Sequence, residues 1–319
     1  MMKSQKIIII GVFAIVVIII ASTLVYSGTL GFGQSPTAGI SPVSTVELIL
    51  QNTQQVPEIR LDIPKTAFPK ELMVYTIDRN ITEQEVLRLA NNLGIKGEII
   101  KEPGIIVVRQ DSVMFDANLS SGVLIYIKTD VPGNTLEDIR KYMPSDEEAR
   151  IIADNFLASH DLMPEGARFY SVTHNEGVFG SEPQPHINSK SVWYSHEIDG
   201  YRILTDKLYV EIGVNGAVTH MFRRWYGYEP LKNYKIIGPD VAISSLNMTG
   251  IIIPAGMKSP EKAVVKEISI GYIGSTQVKD LPYLIPVYVF KGEVYGDGTS
   301  SDFYQWIPAI PELTHELLK

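Results

Sequence analysis

The sequence predicts an α+β fold: repeated helix-plus-antiparallel-hairpin modules after a single N-terminal transmembrane helix. Two segments that align without a gap are the first sign. Thr82-Glu-Gln-Glu-Val-Leu-Arg-Leu-Ala90-Asn-Asn92-Leu93 matches Ser145-Asp-Glu-Glu-Ala-Arg-Ile-Ile-Ala153-Asp-Asn155-Phe156, each with a hydroxyl residue, a Glu three positions on, and a shared Ala and Asn. Both lead into runs of Val, Ile and Tyr broken by Gly turns, the pattern of a supersecondary unit used twice. The second sign is residues 7–26, apolar and free of charge, with Lys3 and Lys6 ahead of them. A run of about 20 such residues spans a bilayer core as a helix, and the lysines hold the N-terminus in the cytoplasm. The third is a hydrophobic fraction of 45% in 319 residues, ample for two modules.

Four segments follow in order. Residues 1–26 form a cytoplasmic stub and anchor. The competing reading is a cleaved secretory signal at Val25-Tyr26-Ser27, but the apolar run exceeds the usual signal core of roughly 7–15 residues. Under either reading the bulk of the chain is extracytoplasmic, and a retained anchor makes it a single-pass membrane protein. Residues 27–44, rich in Gly, Ser, Pro and Thr, form a flexible tether.

Residues 45–135 make the first module. A short helical turn over 45–51 and strands over 59–63 and 73–77 precede its helix. That helix starts at Thr82, where the hydroxyl and Glu85 form a capping box. It carries Val86, Leu89, Ala90 and Leu93 on one face and ends at Gly94. Strands over 98–101, 105–109, 113–116 and 123–128 follow as a meander, turning at Pro103-Gly104 and Ser121-Gly122.

Residues 136–319 make the second module with a C-terminal β-hairpin extension. Its helix repeats the capping device with Ser145 and Glu148 and buries Ala149, Ile152, Ala153 and Phe156. Strands over 169–172 and 192–198 precede a hairpin over 207–225 centred on Asn215-Gly216. A short helix covers 239–246. Residues 263–272 read as strand because Val, Ile and Tyr dominate. Strands over 284–290 and 303–310 complete the set, with Pro286 and Pro308 favouring edges or bulges.

Composition excludes several classes of chemistry. No cysteine is present, so disulfides and thiolate catalysis are absent. The 36 acidic residues outnumber the 28 basic ones, and setting Lys3 and Lys6 aside makes the exported part more acidic still. Such a surface repels nucleic acid and anionic headgroups, so nucleic acid is not a partner.

Motifs for chemistry are near misses. His196-Glu-Ile-Asp-Gly and His315-Glu-Leu-Leu-Lys lack the second histidine of a zinc-peptidase helix. Asp146, Glu147 and Glu148 read as a helix start that complements the dipole. His174, Glu176, Glu182 and His186 read as a solvated loop. Asp297 and Asp302 lie in a stretch without the alternating oxygen ligands of a calcium loop, and read as part of a turn. No nucleophile elbow or phosphate cradle occurs. The sequence therefore assigns no catalytic residue, no cofactor and no metal. Of its aromatics, Trp193 and Trp225 belong in the core, and Tyr201, Tyr226 and Tyr228 are the candidate partner-binding surface.

With these residues in view, the chain resembles the PepSY-like and YycH/YycI-type extracytoplasmic proteins. The capped helices at Thr82 and Ser145 carry the likeness, with Asp199-Gly-Tyr, Tyr209-Val-Glu-Ile-Gly-Val-Asn-Gly216 and Leu284-Ile-Pro-Val-Tyr-Val-Phe-Lys-Gly292. The resemblance implies a regulatory role, binding an envelope peptidase or sensor kinase, with no catalytic residues. The expected function is therefore a membrane-anchored, non-enzymatic binding or regulatory protein, held by residues 7–26 and contacting an envelope protein. The alternatives are an anchored hydrolase assembled from His196, Glu197, Asp199 and His220, or a structural envelope component.

Overall fold

The alternating Val, Ile and Tyr runs do not close into separate hairpin modules. They extend one sheet. The computed structural model describes residues 53–54, 56, 58–63, 66–79, 81–130, 135–177, 185–275 and 281–310. The first strands are β1 (Thr53–Gln54), β2 (Ile59–Leu61) and β3 (Glu71–Asp78), followed by helix α1 (Glu83–Asn92). A meander follows: β4 (Glu98–Glu102), β5 (Ile105–Gln110), β6 (Val113–Asn118) and β7 (Val123–Lys128). Helices α2 (Leu136–Tyr142) and α3 (Asp146–Ser159) lead to β8 (Ala167–Gly177), β9 (His186–Ile198) and β10 (Tyr201–Ile212). Next come β11 (Val218–Arg224), β12 (Gly227–Lys235), helix α4 (Pro239–Thr249) and β13 (Ile251–Ile252). The last strands are β14 (Pro260–Ile273), β15 (Tyr283–Gly296) and β16 (Thr299–Pro308).

All but β1 and β13, which pair with each other, join a 14-stranded mixed sheet. Its main path runs β12-β3-β15-β14-β10-β11-β7-β6-β5-β4, with β9 and then β8 beside β10, β16 beside β15 and β2 beside β14. Pairing is antiparallel except where β14 meets β10 and β2. The expectation of repeated helix-plus-hairpin modules after a transmembrane helix is thus corrected. A capping residue and an apolar stripe specify a helix but not which sheet it covers. Here α1 (Val86, Leu89, Ala90) and α3 (Ala149, Ala153, Leu157) share one core with Phe115, Leu124, Leu208 and Val210 of the same sheet. Pairing of β7 with β11 carries that sheet across residue 135. The expected anchor, tether and 45–51 turn lie outside the described residues. Among the described residues no helix is long and apolar enough to cross a membrane.

Both repeat helices start as their caps dictate. Thr82 Oγ1 accepts the Glu85 N–H at 3.2 Å, and Ser145 with Glu148 completes a reciprocal capping box. Among the longer elements, two were not anticipated. Helix α2 begins at Thr135, whose hydroxyl caps the Asp138 N–H at 3.1 Å. Strand β12 carries Pro230, Lys232 and Lys235 along an exposed ribbon paired with β3, a composition that suits an edge rather than a core strand. Helix α4 covers a second core, where Ala242 and Leu246 meet Tyr288, Phe290 and Val294 of β15. The hairpin turns form where Asn-Gly and Asp-Gly call for them: Asn215-Gly216 and Asp297-Gly298 all have positive φ.

Candidate functional site

Strand β10 carries Arg202-Ile-Leu-Thr-Asp-Lys207 ahead of its apolar Leu208-Tyr-Val210. Its register against β9 breaks between Ile203 and Leu208, while Tyr194 and His196 on β9 are only two residues apart. The surplus residues form a bulge, which turns Asp206 inward. The Asp206 side chain is fully buried, and both its oxygens are engaged. Oδ2 lies 2.6 Å from His196 Nδ1, and Oδ1 accepts the Tyr228 hydroxyl at 2.6 Å. The imidazole stacks on Trp225, with ring centroids 4.3 Å apart and planes 11° from parallel. Trp225 is itself fixed by donating to the Glu165 carbonyl at 3.2 Å. A Cβ at Gly166 would stand 3.3 Å from Nε2 of the imidazole, closer than most side chains tolerate.

The same bulge gathers further polar groups. Arg224, 1% exposed, donates from Nε and Nη2 to the Thr205 carbonyl at 3.1 and 2.8 Å. The Thr205 hydroxyl accepts the Gly274 N–H at 2.8 Å. Burial, with the Asp206 carboxylate beside it, pushes the Tyr228 phenol well above its ordinary value, so the phenol remains a donor. A histidine oriented by a buried carboxylate is two-thirds of a hydrolytic triad. Among the described residues, however, no hydroxyl hydrogen-bonds His196; the neighbouring Ser195 hydroxyl donates to the Arg168 carbonyl at 3.5 Å. The Asp206 carboxylate is spent on His196 and Tyr228, closing the bulge.

The residues singled out from sequence are scattered by this arrangement. Tyr226 is 3% exposed and donates to the Ser121 carbonyl at 2.8 Å, so its ring is not presented to a partner. Tyr228 faces Asp206, and half-buried Tyr201 lies 6.1 Å from the Tyr272 ring. Of the four residues considered for a hydrolase, His196 meets Asp206, and Glu197 lies 3.7 Å from Arg168. Asp199, in the β9–β10 turn, accepts a hydrogen bond from Tyr75 of β3. His220 stands opposite Glu211 beside the Tyr209 ring, where burial lowers it to about 4. The four do not converge.

The acidic helix start has a more specific task. Asp146 accepts from Lys190, 9% exposed at its side chain, at 2.5 Å, and lies 2.9 Å from His174 Nε2. The Lys190 bond, then His174, hold its carboxyl below the usual range. Of the four residues read as a loop, His174 and Glu176 are on β8 and His186 is on β9, while Glu182 lies outside the described residues. Asp297 accepts the Lys258 and Ser259 N–H groups at 2.6 and 3.1 Å, a backbone clamp. His315 is outside the described residues. Among the described residues no group of three or more His, Asp or Glu has metal-site geometry.

Sequence reasoning missed Asp206, Thr205, Arg224 and Lys190. Asp206 and Arg224 lie in strands that carry other charged residues, so nothing local singled them out. Their burial depends on the bulge and on β14, whose place beside β10 no local pattern gives.

No family model matches the chain, and no curated protein matches it. Among solved structures, an uncharacterized protein from Eubacterium rectale aligns with a TM-score of 0.43 and 12% identity, over 78% of this chain and 88% of that one.

Proposed function

We propose that the protein is a non-enzymatic binding protein of the cell envelope, which captures an extended segment of an envelope partner by strand addition along β8. The supporting observation is the character of that edge. Among the described residues β8 pairs only with β9. It runs for 11 residues, has an uncharged centre in Phe169-Tyr-Ser-Val-Thr173, and leaves Phe169 and Tyr170 39% and 43% exposed. The outer edges at β4 and β12 are blunted instead: β4 is five residues long with Glu98, Lys101 and Glu102, and β12 carries Pro230 and lysines. An open strand edge gives main-chain affinity, and alternate side chains give selectivity.

The apolar run at residues 7–26 supports a position at the outer face of the membrane, and the likeness to PepSY-like and YycH/YycI-type proteins supports a regulatory task. The test is photo-crosslinking of the full chain in its native membrane. The crosslinker sits at Ser171 on β8 or, for comparison, at Leu231 on β12, which is 49% exposed. The expected result is one discrete protein adduct at Ser171 and none at Leu231. Equal labelling at both positions, or none at Ser171, would sink the reading.

A further inference from the structure

Two buried hydrogen-bond donors on the β14–β16 side of the molecule have no partner: Arg202 Nε and Trp306 Nε1. Leaving such donors dry is destabilising, so their surroundings merit a chemical account. Arg202 stands opposite Gly271 in the register, where β10 runs parallel to β14. Its guanidinium lies over the Tyr170 ring, 3.9 Å from the centroid. Trp306 pairs with Val289 and Tyr304 with Lys291 on β16, so the two rings share one face of that strand. Both pack against the core cluster that includes Leu204, Val287 and Val289.

Gly271 in turn pairs with Val287, two residues before Val289 and four before Lys291, so Arg202, Trp306 and Tyr304 share one face of the sheet. Burial pushes the Tyr304 phenol up, and the Arg202 cation opposes it. Other nearby charges cancel in pairs. Lys291 and Glu267 are 2.8 Å apart, and Arg168 and Glu197 3.7 Å apart. Arg202 has no carboxylate partner among the described residues, so the neighbourhood keeps about one unit of positive charge.

We propose that Arg202, Trp306 and Tyr304 form a binding site for a carboxylate. A planar monoanion suits it: one cation balances one charge, and two neutral donors donate to its oxygens without further positive charge. A phosphate dianion would want more cations than the site holds. Tyr170 and the aliphatic side chains would cover the carbon next to the carboxylate. The inference goes beyond strand addition at β8: that strand supplies only the Tyr170 ring, and the three proposed donors sit on β10 and β16 whether or not a strand is added.

The full chain, labelled with ¹⁵N at its tryptophan indoles, gives the test. The sequence has three tryptophans, so three indole signals are expected, and Trp306→Phe assigns one of them. The probes are N-acetylglycine for a terminal carboxylate, N-acetylaspartate diamide-blocked at its backbone for a side-chain carboxylate, and N-acetylglycinamide as the neutral control, at fixed ionic strength. The Trp306 signal should shift saturably with one or both acids and stay put with the amide, while the Trp193 and Trp225 signals do not move. The acid that binds more tightly identifies the source of the carboxylate. Arg202→Gln should weaken binding at least about tenfold, as expected when a charge-assisted bond is lost. The proposal is overturned if neither acid moves the Trp306 signal, if the amide moves it equally, or if Arg202→Gln, with its other two indole signals unchanged, binds as the parent does. The contrast between acid and amide in the parent chain needs no variant, so it decides the matter even if Arg202→Gln fails to fold.

Discussion

Replacing Asp206 with alanine tests whether the buried polar cluster holds the β10 bulge in place. The side chain is fully buried and accepts two hydrogen bonds, each 2.6 Å long. Its removal strands two donors, His196 Nδ1 and the Tyr228 hydroxyl, in a site too crowded for easy hydration. At about 1–3 kcal/mol for each unpaired buried donor, the loss comes to about 2–6 kcal/mol. Urea unfolding at pH 7, followed by circular dichroism, measures the change. Tyr228→Phe removes one of the bonds and should cost less, about 1.5–3 kcal/mol. The double variant should cost less than the sum, because both single changes delete the same Asp206–Tyr228 bond. Hydrogen exchange at Gly274, whose N–H is bonded to Thr205, should quicken in Asp206→Ala as the bulge loosens. A loss below about 1 kcal/mol, with Gly274 protection unchanged, would refute the reasoning.

Two further outcomes follow from local physics. Ser145→Ala removes the α3 cap and should cost about 1 kcal/mol in the same unfolding assay; no change would mean that the packing of α3 alone fixes its start. Burial raises the Asp116 carboxyl to about 6, well above its value in the unfolded chain. The folded state therefore binds the proton more readily, and this group's penalty on stability is absent below about pH 4 and complete above about pH 6. Asp116→Asn should stabilise the protein at pH 8 by up to about 3 kcal/mol and leave it unchanged at pH 3.5. His220 acts with the opposite sign. Held neutral by burial at about 4, it contributes stability above about pH 6.5 that is lost as pH falls towards 4. Stability against pH for Asp116→Asn should therefore fall more steeply on acidification than for the parent; a parallel curve would count against the burial of Asp116.

Local chemistry was legible in the sequence; long-range assembly was not. The caps at Thr82 and Ser145, the Asn215-Gly216 turn and the strand nature of residues 263–272 each depend on neighbours a few positions away, and each appears in the structure. The shared core of α1 and α3 was hidden because an apolar stripe says that a helix is covered, not by what. Likeness between the two helix sequences suggested two modules, yet the same likeness suits two helices that lie on one sheet face. Tyr226 was misplaced for a related reason. A tyrosine beside glycine reads as readily exposed as buried; here Arg79 and Gly122 of the β6–β7 turn lie against its ring, and its hydroxyl donates to the Ser121 carbonyl.

The one sheet exists because β10 changes neighbours. Its Tyr201–Ile203 end meets β14 in parallel, and its Lys207–Ile212 end meets β11 antiparallel, while β9 flanks both. A strand cannot pass from one partner to another without breaking its ladder, and the break leaves backbone groups in the interior that must be paired. The bulge residues and their neighbours do that pairing: Arg224 takes the Thr205 carbonyl, and Thr205 takes the Gly274 N–H. Asp206, turned inward by the same bulge, could not be buried alone and draws in His196 and Tyr228. The burial of Asp206 and Arg224 is thus accounted for by topology. A histidine–aspartate pair that resembles catalytic machinery is, in this fold, the polar joint between the half-sheet covered by α1 and α3 and the half-sheet covered by α4.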